Sequence, residues 1–346
     1  MKMRVLYHIP TPRPKRPECD AVHQEIAALS DRFGGAPIHV HPSEYTRWPL
    51  PRLLFGLREA RALRWREQDV DIHHIYNPDP YAYPYLRLLK KPIVYTLSAG
   101  LRGTRRFPVP FFSRIVAQTV VSDAADAQQL RKIGVLNAEA VPTGIDLSRF
   151  RFTQIECDGA LTVLSGSAPW TRKQFLTKGV DALLDAATRF PSMRLVFLWR
   201  GYLLDEMMRR VSQRDLQARV DVVDEIVDVN RVLAGVHAAV VLASDASAIK
   251  AYPHSLIEAL AAGRPIVISR GIPMADWAER EGCGVVVERL EPEAVGFALE
   301  RLRADYTRLQ ANAHRAGRDA FPIEKTLTGY EAVYQRAMSL GAAHGR

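Results

Sequence analysis

The chain has 346 residues, of which 47% are apolar and 25% are charged, a composition typical of globular proteins with room for two cores. Its three cysteines, Cys19, Cys157 and Cys283, form no C-x-x-C pair and no even set, which argues against a zinc site and a disulfide framework. The first apolar run is short for a signal peptide, and no stretch reaches the roughly 18 apolar residues of a membrane span. We therefore expect a cytoplasmic protein, neither exported nor integral to a membrane.

The net charge of +9 is concentrated in the first half of the chain. Residues 1–150 hold 22 Lys and Arg against 14 Asp and Glu, whereas the remaining residues hold 25 against 24. The first half of the chain is thus expected to bind a negatively charged partner. No nucleic-acid recognition motif accompanies the bases, so an anionic membrane surface or a phosphorylated substrate fits at least as well as nucleic acid.

Short β-rich runs alternate with helical segments, the pattern of βαβ units on parallel sheets. In the first half we predict helices at 21–33 and 124–133 and strands at 3–9, 71–76, 92–97 and 114–121. In the second half we predict strands at 161–165, 194–199, 220–223, 238–243, 265–268 and 284–287, and then helix over 291–340.

Periodicity is lost between residues 145 and 160, which indicates a domain boundary. The sequence therefore predicts an α/β protein with two Rossmann-like domains, 1–152 and 153–323, whose parallel sheets face a central cleft. Ligands of such sheets lie beyond the carboxyl ends of the strands, so the turns that follow the strands are where we look for a site.

The turn over 166–179 carries Arg172, Lys173 and Lys178 ahead of an amphipathic helix. Cations near a helix amino terminus favour a diphosphate. The alternative is a solvated basic loop. Another turn, Trp199-Arg200-Gly201, carries Arg200, which is either an anion ligand or a surface arginine.

Glu258 is the one acid in an apolar segment that follows Pro253, His254 and Ser255. The spacing of Ser255 and Glu258 fits a capping box at a helix start. A carboxylate at the mouth of such a helix also suits a ribose diol, because it accepts hydrogen bonds from both hydroxyls. These two interpretations remain open at this point.

Several segments of the chain resemble the retaining glycosyltransferases of family 4, which have the GT-B fold. The resemblance covers most of the chain and lies in the following segments: VSDAADAQQLRKIGV (121–135), VPTGIDLSRF (141–150), KG (178–179), LASDASAIKAYPHSLIEALAAGRPIV (242–267) and FPIEKTLTGYEAVYQRAM (321–338). It implies that the helix at about 324–340 packs back on the first domain.

The resemblance also implies roles for single residues. Lys178 and either Arg172 or Lys173 would bind the diphosphate of a nucleotide-sugar donor, Glu258 would hold the nucleotide ribose, and the helix start at His254, Ser255 and Leu256 would face the phosphates. Lys250 stands where the family has a glutamate that contacts the transferred sugar, and Ser98 stands where it has a histidine near the reacting carbon. Our hypothesis is that Lys250 pairs with an anionic group of the donor; the alternative is a surface lysine.

If the resemblance holds, the reaction retains configuration and needs neither a metal nor another cofactor. His73 and His74 are adjacent in a predicted strand, so they point to opposite faces and are poorly placed to share one ion. The protein would act by positioning the donor and neutralising charge on the leaving diphosphate.

The first domain is expected to bind a glycan or a lipid-linked acceptor. Its segment 47–67 carries six arginines with interleaved leucines and aromatic residues, a pattern that suits an anionic membrane surface. The alternative is a helix that covers the sheet with its arginines in water. A second basic stretch, 101–112, follows Ser98.

The sequence is compatible with three functions. A cytoplasmic glycosyltransferase, peripheral at the inner face of the membrane, agrees best with Lys178 and Glu258. A catalytically silent GT-B pseudoenzyme that acts as a partner subunit is favoured by Lys250 and Ser98. A nucleotide-sugar epimerase is weaker, because its catalytic acids and histidine are not evident.

Overall fold

A computed structural model describes residues 3–42, 50–102, 104, 106–199, 202–244 and 249–343. The chain divides into two compact units. The first comprises Met1–Thr143 together with Glu324–Arg346, and the second comprises Gly144–Ile323.

The first unit contains a parallel sheet of six strands in the order β2-β1-β3-β4-β5-β6. These strands are β1 (Val5–Ile9), β2 (Ala36–His39), β3 (Ile72–Asn77), β4 (Ile93–Leu97), β5 (Gln118–Val121) and β6 (Ala138–Ala140). Every residue of β1, β3, β4 and β5 is buried, as expected of parallel strands with both faces covered. Its helices are α1 (Ala21–Phe33), α2 (Ala60–Arg66), α3 (Val109–Arg114), α4 (Ala124–Lys132) and α13 (Ile323–Ala343).

The strands that sequence reasoning missed are the two edges of this sheet. β2 is largely exposed and contains Pro37, and proline is confined to sheet edges. β6 has the sequence Ala-Glu-Ala, which lacks the β-branched residues that mark strands. The strand predicted over 114–121 was too long at its start, because α3 extends to Arg114 and the strand begins at Gln118.

The second unit contains a second parallel sheet, in the order β12-β11-β10-β7-β8-β9. Its strands are β7 (Leu161–Ser165), β8 (Met193–Leu198), β9 (Val220–Val223), β10 (Ala238–Val241), β11 (Ile266–Ser269) and β12 (Gly284–Val287). Its helices are α5 (Arg172–Thr177), α6 (Val180–Arg189), α7 (Leu204–Ser212), α8 (Val229–Ala234), α9 (His254–Ala261), α10 (Met274–Arg280), α11 (Pro292–Ala304) and α12 (Tyr306–Ala320). Each strand predicted in this half is present.

The strand order of the second sheet reverses between β7 and β10. The chain moves outward from β7 through β8 to β9, and then returns to the other side of β7 as β10. Such a reversal leaves a crevice beyond the carboxyl ends of the two central strands, and ligands of open α/β sheets bind there.

The closing helix α13 belongs to the first unit from Glu324 onward. Its Tyr334 hydroxyl lies 2.7 Å from Nδ1 of His74, and its Tyr330 hydroxyl lies 3.0 Å from Oγ1 of Thr96. His74 and both tyrosines are buried. Polar contacts as well as apolar packing therefore hold α13 to the first sheet.

None of the helices in the described ranges combines the length and the apolar character that a bilayer crossing requires. Cys19, Cys157 and Cys283 all lie within the described ranges, and no disulfide joins any two of them.

Candidate functional site

Lys178 and Ser255, two of the predicted site residues of the second unit, both lie against the loop after β7, next to the crevice between β7 and β10. Gly166 follows β7 directly, and a Cβ added to it would lie only 3.0 Å from Cβ of Ser255. The loop after β7 therefore lies against the first turn of α9. Ser255 is half-buried at this contact.

Lys178 reaches the same loop from the other side. Its ammonium donates to the carbonyl of Ala168 at 3.2 Å. The next residue, Gly179, has a φ of 65°, in the left-handed region that favours glycine. A Cβ there would lie 2.5 Å from Cβ of Leu242, which follows β10. Lys178 is thus fixed in a tight turn between the ends of the two central strands.

A backbone contact fastens this turn to the segment after β10. The amide of Ser244 donates to the carbonyl of Thr177 at 2.9 Å. The loop after β7, the Lys178 turn and the start of α9 consequently converge on one place, which is where the strand order predicts a ligand.

The capping box was the wrong interpretation of Ser255 and Glu258. Pro253 is the N-cap residue of α9 and makes no side-chain capping bond, and the helix already begins at His254. Proline supplies the fixed φ at this position, and its carbonyl accepts from the amides of Leu256 at 3.0 Å and Ile257 at 3.1 Å. Ser255 therefore lies inside the first turn rather than at the cap.

This start of α9 changes which groups are available to an anion. The amide of Leu256, one of the two proposed phosphate ligands, is already bound to Pro253. Within the described ranges, the amide and hydroxyl of Ser255 make no hydrogen bond. Helix amino termini attract anions through such amides, so Ser255 is the stronger candidate. Glu258 is half-buried on the next turn.

Arg172 and Lys173 open α5, and both are exposed. Neither pairs with a carboxylate of the described chain. Their side chains are therefore solvated cations on the helix that leads into the Lys178 turn. Arg200, the further predicted ligand, lies outside the described residues.

Lys250 is half-buried and lies next to the start of α9. Its ammonium is 3.4 Å from Nε2 of His254, the buried first residue of that helix. With Lys250 as the donor, the accepting Nε2 carries no proton. The contact places the Lys250 ammonium beside the first residue of α9, and the pairing of Lys250 with an anionic group of the donor stays a prediction.

Ser98 follows β4 in the first unit and is buried. Its amide donates to the carbonyl of Asn77 at 3.0 Å. The Asn77 amide group in turn donates to Oδ1 of Asp79 at 2.8 Å, and the Arg52 guanidinium binds both carboxylate oxygens of Asp79 at 2.7 Å. This polar cluster at the carboxyl ends of β3 and β4 was missed, although the sequence Asn77-Pro-Asp directly after a strand was a usable signal.

Segment 47–67 was predicted to be either an amphipathic surface for an anionic membrane or a helix that covers the sheet with its arginines in water. Residues 47–49 lie outside the described ranges, and Arg52 is committed to Asp79. Of the other side chains, Trp65 is 71% exposed and Leu53 is 49% exposed. The ion pair with Asp79 makes Arg52 unavailable to a partner, but the exposed Trp65 and Leu53 still leave an amphipathic surface. In the second basic stretch, residues 103 and 105 lie outside the described ranges.

The adjacent histidines of β3 lie in separate networks, as the alternation of strand side chains predicts. His73 contacts His8 at 2.9 Å and Glu67 at 3.1 Å, whereas His74 contacts Tyr334. Asp69 and Asp71 lie just before β3 and have the spacing of an Asp-x-Asp motif. Both accept hydrogen bonds from Arg4, Asp71 from its backbone amide and Asp69 from its guanidinium. No group of three or more potential metal ligands occurs within the described ranges.

Comparison with known proteins places these features in context. Residues 173–320 match the family model of the Glycosyl transferases group 1. A GDP-mannose:cellobiosyl-diphosphopolyprenol alpha-mannosyltransferase of Xanthomonas campestris is 23% identical over 286 residues, which cover 78% of this chain and 70% of that protein.

Solved structures share the fold at low sequence identity. The Anabaena HepE protein in complex with UDP-glucose superposes with a TM-score of 0.69 at 14% identity, over 98% of this chain and all of that one (100%). A sucrose-phosphate synthase of Thermosynechococcus elongatus superposes with a TM-score of 0.72 at 15% identity, over 97% of this chain and 100% of that one. The chain therefore has the two-domain GT-B fold, residues 173–320 of its second unit match the Glycosyl transferases group 1 model, and these findings support a glycosyltransferase.

Proposed function

We propose that this protein transfers a sugar from a nucleotide-sugar donor to a glycan or lipid-linked acceptor, with retention of configuration and without a metal ion. The observation that carries the proposal is the convergence of Lys178, Gly166 and Ser255 at the reversal of strand order in the second sheet. The relative of known activity is a mannosyltransferase with a diphosphopolyprenol acceptor, and a structural neighbour holds UDP-glucose.

In this proposal the donor diphosphate lies over the loop after β7. Lys178 and the Ser255 amide supply positive charge and a hydrogen bond, and Arg172 or Lys173 adds a second cation from α5. Gly166 lets the diphosphate approach the backbone, because any side chain there would crowd Ser255. Glu258 accepts from the ribose hydroxyls one helical turn further on.

The reaction then proceeds on one face of the sugar. The acceptor oxygen bonds to the anomeric carbon as the bond to the diphosphate breaks, and the acceptor proton passes to the departing phosphate oxygen. Negative charge accumulates on the leaving diphosphate, so Lys178 and the Ser255 amide stabilise the transition state more than the ground state. Lys250 is proposed to pair with an anionic group of the donor, His254 to bind the donor at the start of α9, and Ser98 to have the role near the reacting carbon that the family resemblance implies.

Thermal shift with UDP, GDP and ADP, followed by turnover of the matching nucleotide sugars, tests this function. We expect one nucleotide to raise the melting temperature and one of its sugars to be consumed in the presence of acceptor. The absence of stabilisation by all three nucleotides would contradict the donor site.

The rival is a catalytically silent GT-B partner subunit. It is favoured by Lys250 and Ser98, which replace the glutamate and histidine that the family resemblance leads one to expect. It predicts nucleotide binding without turnover of any sugar. Exchange of Lys250 for Glu separates the two functions further, since an altered donor preference requires an active enzyme.

Association with an anionic membrane through segment 47–67 is part of the proposal. It is supported by the exposed Trp65 and Leu53 beside the arginines of α2. Flotation with anionic liposomes, abolished by high salt, is the expected result. A failure to float at low salt would remove this part.

A further inference from the structure

The first sheet has a reversal of strand order of its own. The chain moves from β1 outward to β2 and then returns to the other side of β1 as β3. Ligands of open α/β sheets bind beyond the carboxyl ends of the strands at such a reversal. Asn77 is the last residue of β3 and Asp79 follows it by two residues, so both lie at this edge of the sheet. The proposed function gives neither residue a role.

The Asp79 carboxylate belongs to a closed ring of hydrogen bonds. Arg52 donates to both of its oxygens at 2.7 Å and to the hydroxyl of Tyr83 at 2.8 Å. The Tyr83 hydroxyl donates to Oδ1 of Asn77 at 3.2 Å, and the Asn77 amide nitrogen donates to Oδ1 of Asp79 at 2.8 Å. Tyr83 and Asn77 are buried. The carboxylate is therefore oriented before any ligand binds.

The backbone of this loop is fixed from below by β4. The hydroxyl of Tyr95, a buried residue of β4, accepts from the amide of Tyr81 at 3.2 Å and lies 3.2 Å from the carbonyl oxygen of Asp79. Groups that are held in place in this way lose little conformational entropy when they bind a ligand. The segment from Asp79 to Tyr81 thus has the rigidity of a binding site.

Asp79 retains the capacity to accept one more hydrogen bond. A carboxylate has about four accepting lone pairs. In the described part of the chain, Arg52 and Asn77 use two of them at Oδ1, and Arg52 uses one at Oδ2. The Asp79 side chain is 37% exposed, so a ligand in solution can approach it. Oδ2 is therefore the atom that accepts from a ligand.

Tyr81 supplies a second polar group beside this carboxylate. The Arg52 guanidinium lies 4.3 Å from the centre of the Tyr81 ring, which places the ring next to the ion pair. Tyr81 is half-buried, and its hydroxyl forms no hydrogen bond within the described ranges. A phenol hydroxyl both donates and accepts. Together the two side chains suit a ligand with neighbouring hydroxyl groups.

The charges of the ion pair disfavour ionic ligands. Arg52 cancels the charge of Asp79, and an ammonium group would be repelled by the guanidinium. A carboxylate or an ionised phosphate has no proton to donate to Oδ2 and would meet its negative charge. A neutral hydroxyl group avoids both costs and forms a charge-assisted hydrogen bond with the carboxylate.

We propose that Asp79 and Tyr81 bind a neutral sugar unit of the acceptor through adjacent hydroxyl groups, and that Arg52 positions Asp79 for this contact. The inference rests on the proposed function for the identity of the acceptor, but sugar binding itself requires neither a donor nor turnover. Asp79 then determines which acceptors the protein recognises.

Saturation-transfer NMR on the whole protein measures sugar binding without a donor. The probes are methyl β-glucoside, methyl α-mannoside and methyl β-galactoside, with methyl β-glucuronide as an anionic probe. We expect at least one neutral glycoside to bind more tightly than the glucuronide. Asp79→Ala should lower the affinity for that glycoside at least about tenfold. The matched control is Asp69→Ala, which also removes an aspartate paired with an arginine, but before β3, and it should bind as the wild type does.

Tyr81→Phe removes a single hydroxyl group and should lower the affinity severalfold. The proposal is overturned if no neutral glycoside binds, if the glucuronide binds as tightly, or if Asp69→Ala loses as much affinity as Asp79→Ala. It is also overturned if Asp79→Ala melts at a lower temperature but keeps its affinity for the sugar, because the ion pair would then have only a structural role.

Two further measurements separate this site from the donor site. Lys178→Ala should keep the affinity for the glycoside, and a loss there would place the sugar in the donor site and overturn the proposal. Thermal stabilisation of the wild type by nucleotides is measured in parallel. Sugar binding without stabilisation by any nucleotide would contradict the proposed function alone, whereas stabilisation without sugar binding would contradict the site at Asp79 alone.

Discussion

At the scale of single residues, the site depends on groups that the fold constrains before any ligand arrives. Lys178 lies in a turn that only glycine can complete at position 179, and Ser255 lies in the first turn of α9. Orientation of this kind reduces the entropy that binding costs. The sequence indicated Lys178 correctly as a residue of this turn, but the start of α9 was misplaced because Pro253 caps the helix without a side-chain hydrogen bond.

Replacement of Lys178 by alanine should weaken nucleotide binding. A charge-assisted hydrogen bond contributes about 1.5–3 kcal/mol, so we expect the dissociation constant of the preferred nucleotide to rise by roughly 10- to 100-fold. Calorimetric titration measures the effect. Lys132→Ala, on the exposed end of α4, is the control. An unchanged affinity of the Lys178 variant would contradict the proposed diphosphate site.

The buried histidines predict a dependence of stability on pH. Burial lowers the pKa of both His8 and His74 well below 6.5, and the neighbouring His73 and His74 add to the effect at His8. As the pH falls below about 6.5, the unfolded chain binds a proton at each imidazole that the folded chain does not, so this contribution to stability is present above that pH and is lost below it. The free energy of unfolding should fall by up to about 1.4 kcal/mol per pH unit for each histidine.

Urea titrations between pH 7.5 and 5.5 measure this slope. Glutamine at position 74 keeps hydrogen-bonding groups but does not titrate, so His74→Gln should show a shallower slope than the wild type. Equal slopes would show that His74 is not the group responsible.

At the scale of elements, close contacts between helices and strands fix the second unit. α12 packs against α9, and a Cβ on Gly317 would lie 2.6 Å from the backbone carbon of Leu260. Sequence periodicity predicted helix over 291–340, which the structure divides into α11, α12 and α13, and it gives no distance between two helices. The edge strands β2 and β6 were missed for a related reason, since pairing with a neighbouring strand rather than local composition creates them.

Gly317→Ala should therefore destabilise the protein. Helix propensity alone would favour alanine by about 1 kcal/mol, whereas crowding against a backbone atom costs about 1–3 kcal/mol, and we expect the second effect to dominate. Thermal unfolding measures the difference. Gly159→Ala, where nothing lies within 4 Å, should change stability by less than about 0.5 kcal/mol. A stabilised Gly317 variant would contradict the close packing.

At the scale of the whole molecule, the first unit is built from both ends of the chain. The family resemblance indicated this arrangement of α13, but the tyrosine contacts with His74 and Thr96 were beyond sequence reasoning, because they join residues far apart in the chain. Burial of His74 makes these contacts energetically significant, since an unsatisfied buried polar group costs about 1–3 kcal/mol.

Deletion of residues 324–346 should selectively loosen the first unit. Hydrogen exchange should show loss of protection in β3 and β4, which lose the cover of Tyr330 and Tyr334, while β7 and β10 keep theirs. The double substitution Tyr330→Phe and Tyr334→Phe is a milder version that retains the apolar packing and should show a smaller loss in the same strands. Equal loss in both units would contradict their separate organisation.

The return of α13 to the first unit also sets an order of events during synthesis. Domains fold as units while the chain emerges from the ribosome. Here the sheet made first lacks α13 until the whole of the second unit has been made, whereas the second unit is a single continuous segment of the chain. Until α13 has been made, the nascent first sheet therefore has an uncovered face. During this interval it most needs protection by chaperones.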